Sequence, residues 1–129
     1  MKEVSIIIPA RFKSSRFPGK PLAKILGKEM ILRVCDICKK VIKKKNVYVA
    51  TDDERIIKTI SKAGYNFIKT SKNCLTGTDR VFQASKKIKT NIIINVQGDE
   101  PVINPSDIKK IIKAKKRFPD HVICGFNEI

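Results

Sequence analysis

Short apolar runs rich in Ile and Val alternate along the chain with stretches where apolar residues recur every three or four positions. Val4 to Ile8, Val47 to Ala50, Asn66 to Lys69, Ile92 to Val96 and Val122 to Cys124 read as strands. Helices are predicted over Met30 to Lys43, Asp53 to Ala63, Asp79 to Lys89 and Ser106 to Arg117. Strands that are apolar on both faces, separated by amphipathic helices, are the pattern of a parallel sheet covered on both sides. The fold class is therefore α/β, with a Rossmann-like, mostly parallel sheet, helices on both faces, and four βα units followed by a fifth strand.

The helix ends carry chemical punctuation. Thr51 followed three residues later by Glu54 matches a capping box, and Gly64 supplies a left-handed stop just past Ala63. Asn104 before Pro105 places a capping side chain ahead of a proline at the first helical position, where the missing N–H costs little. No repeat or low-complexity tract interrupts these units.

At 129 residues and 42% hydrophobic content the chain suits a single domain with one core, 1–129. No apolar run approaches the ~20 residues a membrane helix needs, and the first strand begins almost at once, without a signal-peptide pattern. The chain reads as cytoplasmic, without membrane insertion. Four cysteines, Cys35, Cys38, Cys74 and Cys124, include one C-x-x-C pair, while the single histidine, His121, stands alone. Ile31, Cys35, Cys38 and Ile42 follow one helical face, so the paired thiols read as small core residues rather than metal ligands.

The 28 Lys plus Arg against 12 Asp plus Glu leave a formal charge of +16, which calls for an anionic partner. Lysines cluster in Lys39 to Lys45 and Lys109 to Arg117. Both clusters fit the solvated faces of amphipathic helices. A nucleic-acid-binding module would want aromatics interleaved with the cations, and none of the eight aromatics lies within these runs.

In open parallel sheets the ligand sits beyond the carboxyl ends of the strands. After the first strand, Pro9 to Lys20 holds four cations and two hydroxyls. Arg11 and Arg16 can offer forked N–H pairs to phosphate oxygens, Lys20 a point charge, and Ser14 and Ser15 hydroxyl and backbone donors. The segment suits a triphosphate; the plainer reading is a basic surface loop. Gln97-Gly98-Asp99-Glu100-Pro101 places two carboxylates after the fourth strand, where Asp99 could hold Mg²⁺ against phosphates or merely shape a solvated turn with Glu100. Gly77-Thr78-Asp79-Arg80 opens a helix, and capping accounts for Thr78 or Asp79 but not for Arg80.

P-A-R-F-K-S-S-R-F-P-G-K-P-L (Pro9 to Leu22), A-T-D-D-E-R (Ala50 to Arg55), T-S-x-x-x-x-x-G-T-D-R (Thr70 to Arg80) and N-V-Q-G-D-E-P (Asn95 to Pro101) together resemble the ordered motifs of the 3-deoxy-manno-octulosonate (Kdo) cytidylyltransferases. The resemblance covers most of residues 4 to 105. It implies a nucleotidyltransferase fold related to GT-A glycosyltransferases, with CTP as co-substrate, Mg²⁺ as cofactor and CMP-Kdo for lipopolysaccharide biosynthesis as product. It assigns Pro9, Ala10, Arg11, Ser14, Ser15, Arg16 and Lys20 to the triphosphate loop and Thr70, Ser71, Gly77, Thr78 and Arg80 to the cytidine side. Gln97 falls near base or sugar and Asp99 on the metal, so Arg16, Lys20 and Asp99 carry the catalytic charge stabilisation.

Cys74 stands where the family usually has His, and Thr76 where Ser is common. Family members run to about twice this length; the second half supplies another metal-binding aspartate, most sugar contacts and the surface of a homodimer. The resemblance thus leads to the expectation that this chain alone binds CTP with little turnover. A cytidylyltransferase for a sialic-type acid is the competing enzyme, but that branch tends to G-S-K-G-x-P-x-K-N where this chain has S-S-R-F-P-G-K-P.

Overall fold

The computed structural model describes residues 4–12, 19–74, 77–88, 92–96, 106, 109–110 and 122–124, with backbone alone for Lys20, Ile25, Thr78 and 122–124. Strands β1 (Val4–Pro9), β4 (Val47–Thr51), β5 (Asn66–Lys69), β6 (Ile92–Asn95) and β7 (Val122–Cys124) form one sheet, in the order β5-β4-β1-β6-β7. Every pairing in it is parallel. Helices α1 (Met30–Cys38), α2 (Glu54–Lys62) and α3 (Gly77–Ser85) run between strands. The order reverses at β1 and β6, the two strands that flank the crevice where such sheets bind ligands.

The predicted two-sided burial is met in β1, whose six residues are all buried. Successive side chains of a strand point to opposite faces. Accordingly Ile6 and Ile8 pack with Ile31, Val34 and Cys35 of α1 and Ile56 and Ile60 of α2. Ile7 points the other way, into a second cluster with Ala50, Ile93, and Val81 and Ala84 of α3. Cys35 and Cys38 are wholly buried in the first cluster, as helical periodicity predicts. That burial raises both thiol pKa values, Cys38 to about 12.

Four local readings differ from the structure. The start of α2 is capped by Asp53, whose carboxylate accepts from the backbone N–H groups of Arg55 at 2.9 Å and Ile56 at 3.2 Å. Thr51 is no cap because β4 runs one residue further than predicted, pairing Thr51 with Lys69. Its hydroxyl instead accepts from the N–H of Asp53 at 3.2 Å, while Glu54 reaches across to Lys69 at 2.7 Å. Helix α1 ends at Cys38 rather than Lys43, because the N–H groups of Lys40 and Val41 bond three residues back and tighten the chain toward β4. In α3 the boundaries shift toward the N-terminus, and the N–H groups of Lys87 and Ile88 close its end the same way.

A short antiparallel hairpin, β2 (Lys24–Ile25) with β3 (Lys28–Glu29), has no apolar pattern to betray it. Its turn takes Leu26 to φ 54 and Gly27 to φ 84, the primed geometry that suits twisted strands. Asp36 of α1 accepts hydrogen bonds from Lys28 of this hairpin and from the Tyr65 hydroxyl. Burial pushes the Asp36 pKa up, but these two donors outweigh it and leave the carboxyl below its ordinary value.

The stop at Gly64 is present as predicted. Gly64 adopts φ 86, its N–H bonds to Ser61, and the N–H of Tyr65 reaches back to Ile60 at 3.0 Å. Of the predicted helix from Ser106 to Arg117, residues 106 and 109–110 are helical, and its remainder lies outside the described residues, as do Asn104, Pro105 and His121.

Candidate functional site

At the carboxyl ends of β1, β4 and β5 a cleft of about 620 Å³ opens. Its lining comes from the ends of these strands, the segments that follow them and the start of α3. The chain leaves β1 through Pro9 and buried Ala10, whose N–H bonds to the Ala50 carbonyl at 3.0 Å and extends the ladder by one rung. Arg11 follows on the exposed wall of the cleft. Phe12 lies beneath the guanidinium of Arg55, 3.3 Å from the ring centroid. Arg55 is held there by Asp53, with Nη2 to Oδ2 at 2.7 Å.

Gly19 adopts φ 77 and donates its N–H to the Phe12 carbonyl at 2.5 Å. A Cβ at Gly19 would meet the Phe12 ring at 2.9 Å. Phe12, which lines the cleft, and Gly19 are therefore joined directly to each other. Ser14, Ser15 and Arg16 themselves lie outside the described residues, as does the side chain of Lys20.

The opposite group of predicted residues converges from β5 and α3. Thr70 is 5% exposed and its N–H bonds to the Thr51 carbonyl at 3.0 Å, continuing the parallel pairing. The Ser71 N–H donates to the Gln83 side chain of α3 at 2.6 Å. Arg80, from the first turns of α3, is 4% exposed; its Nη1 donates to the Thr70 hydroxyl and lies 3.1 Å from Asp52 Oδ1. Gly77 opens α3, with Thr78 in the same first turn. Thr70, Ser71 and Arg80, grouped in advance on the cytidine side, are thus neighbours.

Asp52 is not among the residues assigned from the sequence, although it directly follows β4 and lines the cleft. Phe12 and Lys72, in the segments after β1 and β5, and Arg55, in the first turn of α2, also line the cleft.

Val96 follows β6, and its N–H bonds to the Ile7 carbonyl at 3.1 Å, so this strand ends beside β1. Asn95 is 2% exposed and its Oδ1 finds no donor among the described residues. Gln97, Asp99 and Glu100 lie outside the described residues.

Among the described residues no three carboxylate, thiolate or imidazole groups gather as a metal site. The cleft carboxylates are each engaged by a cation: Asp52 by Arg80, Asp53 by Arg55 and Glu54 by Lys69. The Arg55 hydrogen bonds lower the Asp53 pKa against burial, with help from the two capping N–H groups. These three carboxylates do not fit a Mg²⁺ site. The cleft is a cation-rich wall whose acidic groups orient its basic ones.

A parallel sheet with its order reversed at the first strand and a cation-rich cleft at the strand ends defines a doubly wound α/β domain. Residues 5–123 match the cytidylyltransferase family, and the chain belongs to that family. It is 46% identical over 118 residues to the mitochondrial 3-deoxy-manno-octulosonate cytidylyltransferase of Arabidopsis thaliana, covering 90% of this chain and 41% of that protein. It is 45% identical over 119 residues to the 8-amino-3,8-dideoxy-manno-octulosonate cytidylyltransferase of Shewanella sp. (strain W3-18-1), covering 90% of this chain and 49% of the relative.

The fold superposes with a TM-score of 0.86 on a CMP:2-keto-3-deoxy-manno-octonic acid synthetase solved with CTP, at 40% identity over 90% of this chain and 48% of that one. A cytidylyltransferase from Leptospira borgpetersenii, at 24% identity, 92% of this chain and 50% of that one, shares the fold with a TM-score of 0.79. The chain spans about half the length of the curated relatives it matches. No helix among the described residues is long and apolar enough to cross a membrane.

Proposed function

We propose that this chain is the CTP-binding part of a cytidylyltransferase that activates an acidic sugar of the 3-deoxy-manno-octulosonate type, giving the CMP-sugar and pyrophosphate for lipopolysaccharide biosynthesis. The observation that carries this reading is that Arg80, hydrogen-bonded to Thr70, lines the same cleft as Arg11, at the strand ends of a cytidylyltransferase-family domain.

In this reading Arg11, Ser14, Ser15, Arg16 and Lys20 bind the triphosphate beside the turn of Pro9 and Ala10, while Thr70, Ser71, Gly77, Thr78, Arg80 and Gln97 serve the nucleoside side. The anomeric hydroxyl oxygen of the sugar acid attacks the α-phosphorus and loses its proton. The bond from that phosphorus to the bridging oxygen breaks, and pyrophosphate leaves. Arg16 and Lys20 offset the charge that develops on the phosphate oxygens. Asp99, which the family resemblance assigns to Mg²⁺, would hold the ion, and the ion would neutralise phosphate charge. The full-length protein is proposed to act as a cytoplasmic homodimer without a specific nucleic-acid partner.

Calorimetry with CTP, UTP, ATP and GTP in the presence of Mg²⁺ tests the reading. CTP is expected to bind more tightly than the other three. Equal affinities would reduce the cleft to a generic phosphate site.

A further inference from the structure

A cation on the first turns of a helix sits at the positive end of the helix dipole, and a buried guanidinium is costly unless it is paired. Arg80 is placed in both circumstances at once, the fourth residue of α3 and 4% exposed. Packing gives no reason for it, since the apolar face of α3 is made by Val81 and Ala84. Its charge is met by Asp52, which is 21% exposed and lies just past the end of β4, the strand next to β5.

Asp52 has no part in capping α2, because its neighbour Asp53 does that. The adjacent carboxylates thus divide: Asp53 serves the helix and Asp52 serves Arg80. A guanidinium carries five N–H donors in a fixed plane. The contacts to Asp52 and Thr70 both use Nη1, so this pairing does not consume Nε and Nη2. Two anchors on one nitrogen set the plane of the group while it still lines the cleft.

We propose that Asp52 is a positioning residue for nucleotide binding, holding the Arg80 guanidinium in the orientation that meets the nucleoside end of the ligand. The proposal rests on the CTP-binding reading above. It separates the cleft into a nucleoside end governed by the Asp52–Arg80–Thr70 group and a phosphate end governed by the loop after β1.

Calorimetry on the 129-residue chain, with CTP and with inorganic tripolyphosphate as separate ligands, tests it on Asp52→Asn, Arg80→Met and the double variant. Asp52→Asn is expected to weaken CTP binding about tenfold, through loss of the ion pair that orients Arg80, and to leave tripolyphosphate affinity within about twofold. In the Arg80→Met background the same change is expected to add nothing, because there is no guanidinium left to orient.

A purely structural Asp52 would lower both ligands together and cost as much in either background, and that pattern overturns the proposal. Unchanged CTP affinity in Asp52→Asn overturns it as well. If Asp52→Asn does not fold, the double variant, which leaves no buried charge unpaired, is compared with Arg80→Met, and equal CTP affinity is the expected result. A wild-type chain that fails to bind CTP overturns the functional reading itself, whereas a binding wild type with an indifferent Asp52→Asn overturns the positioning role alone.

Discussion

Replacing Asp53 by alanine removes the two hydrogen bonds that satisfy the Arg55 and Ile56 N–H groups at the start of α2, and it releases Arg55 from its place over Phe12. Loss of an N-cap costs about 1 kcal/mol, and loss of a negative charge at the helix N-terminus adds roughly 0.3 to 1 kcal/mol. The expected destabilisation is therefore about 1 to 2 kcal/mol, read as a fall in Tm of roughly 4 to 8 °C for a domain of this size. Asp53→Asn keeps the capping oxygen and is expected to lose less.

The pH dependence has a definite sign. The folded-state pKa of Asp53 is lowered, chiefly by the Arg55 hydrogen bonds, so its charged form contributes stability that is fully present above the unfolded value of about 3.9. That contribution is lost as pH falls through the folded pKa, and the gap between wild type and Asp53→Ala narrows from about pH 4 downward. Urea unfolding at neutral and acidic pH measures both effects. A variant as stable as wild type at pH 7 would refute the assignment of Asp53 as the cap.

Gly19→Ala forces a side chain onto φ 77 and against the Phe12 ring, so it is expected to cost about 1 kcal/mol or more in urea unfolding; wild-type stability would show that the Phe12–Gly19 closure tolerates a side chain. Cys35 and Cys38 are core residues with raised pKa values, and iodoacetamide at pH 8 is expected to leave both unlabelled in the native chain and to label both in urea. Rapid native labelling of either, located by peptide mass mapping, would contradict the packing of α1 on the sheet.

Local pattern and local chemistry were enough for the sheet strands, the stop at Gly64, and the core role of Cys35 and Cys38. A continuous run such as Ile6-Ile7-Ile8 can escape water only inside a covered sheet, and glycine alone adopts φ 86 without strain, so these features are written in composition and spacing. The β2–β3 hairpin was illegible because two-residue strands have no period to detect. The capping assignment failed for a tertiary reason: the pairing of Thr51 with Lys69 carried β4 one residue further and moved the cap to Asp53.

The site shows the same division. Its loops were legible because each follows a predicted strand, and Arg80 stood out because no capping role explained it. That Arg80 meets Asp52 and Thr70 was decided only by the strand order β5-β4-β1, which sets the ends of β4 and β5 side by side with α3 packed across them. Periodicity states which face of a segment is buried; it carries no information on which segment lies beside it, because that choice depends on the combined burial of all the strands at once.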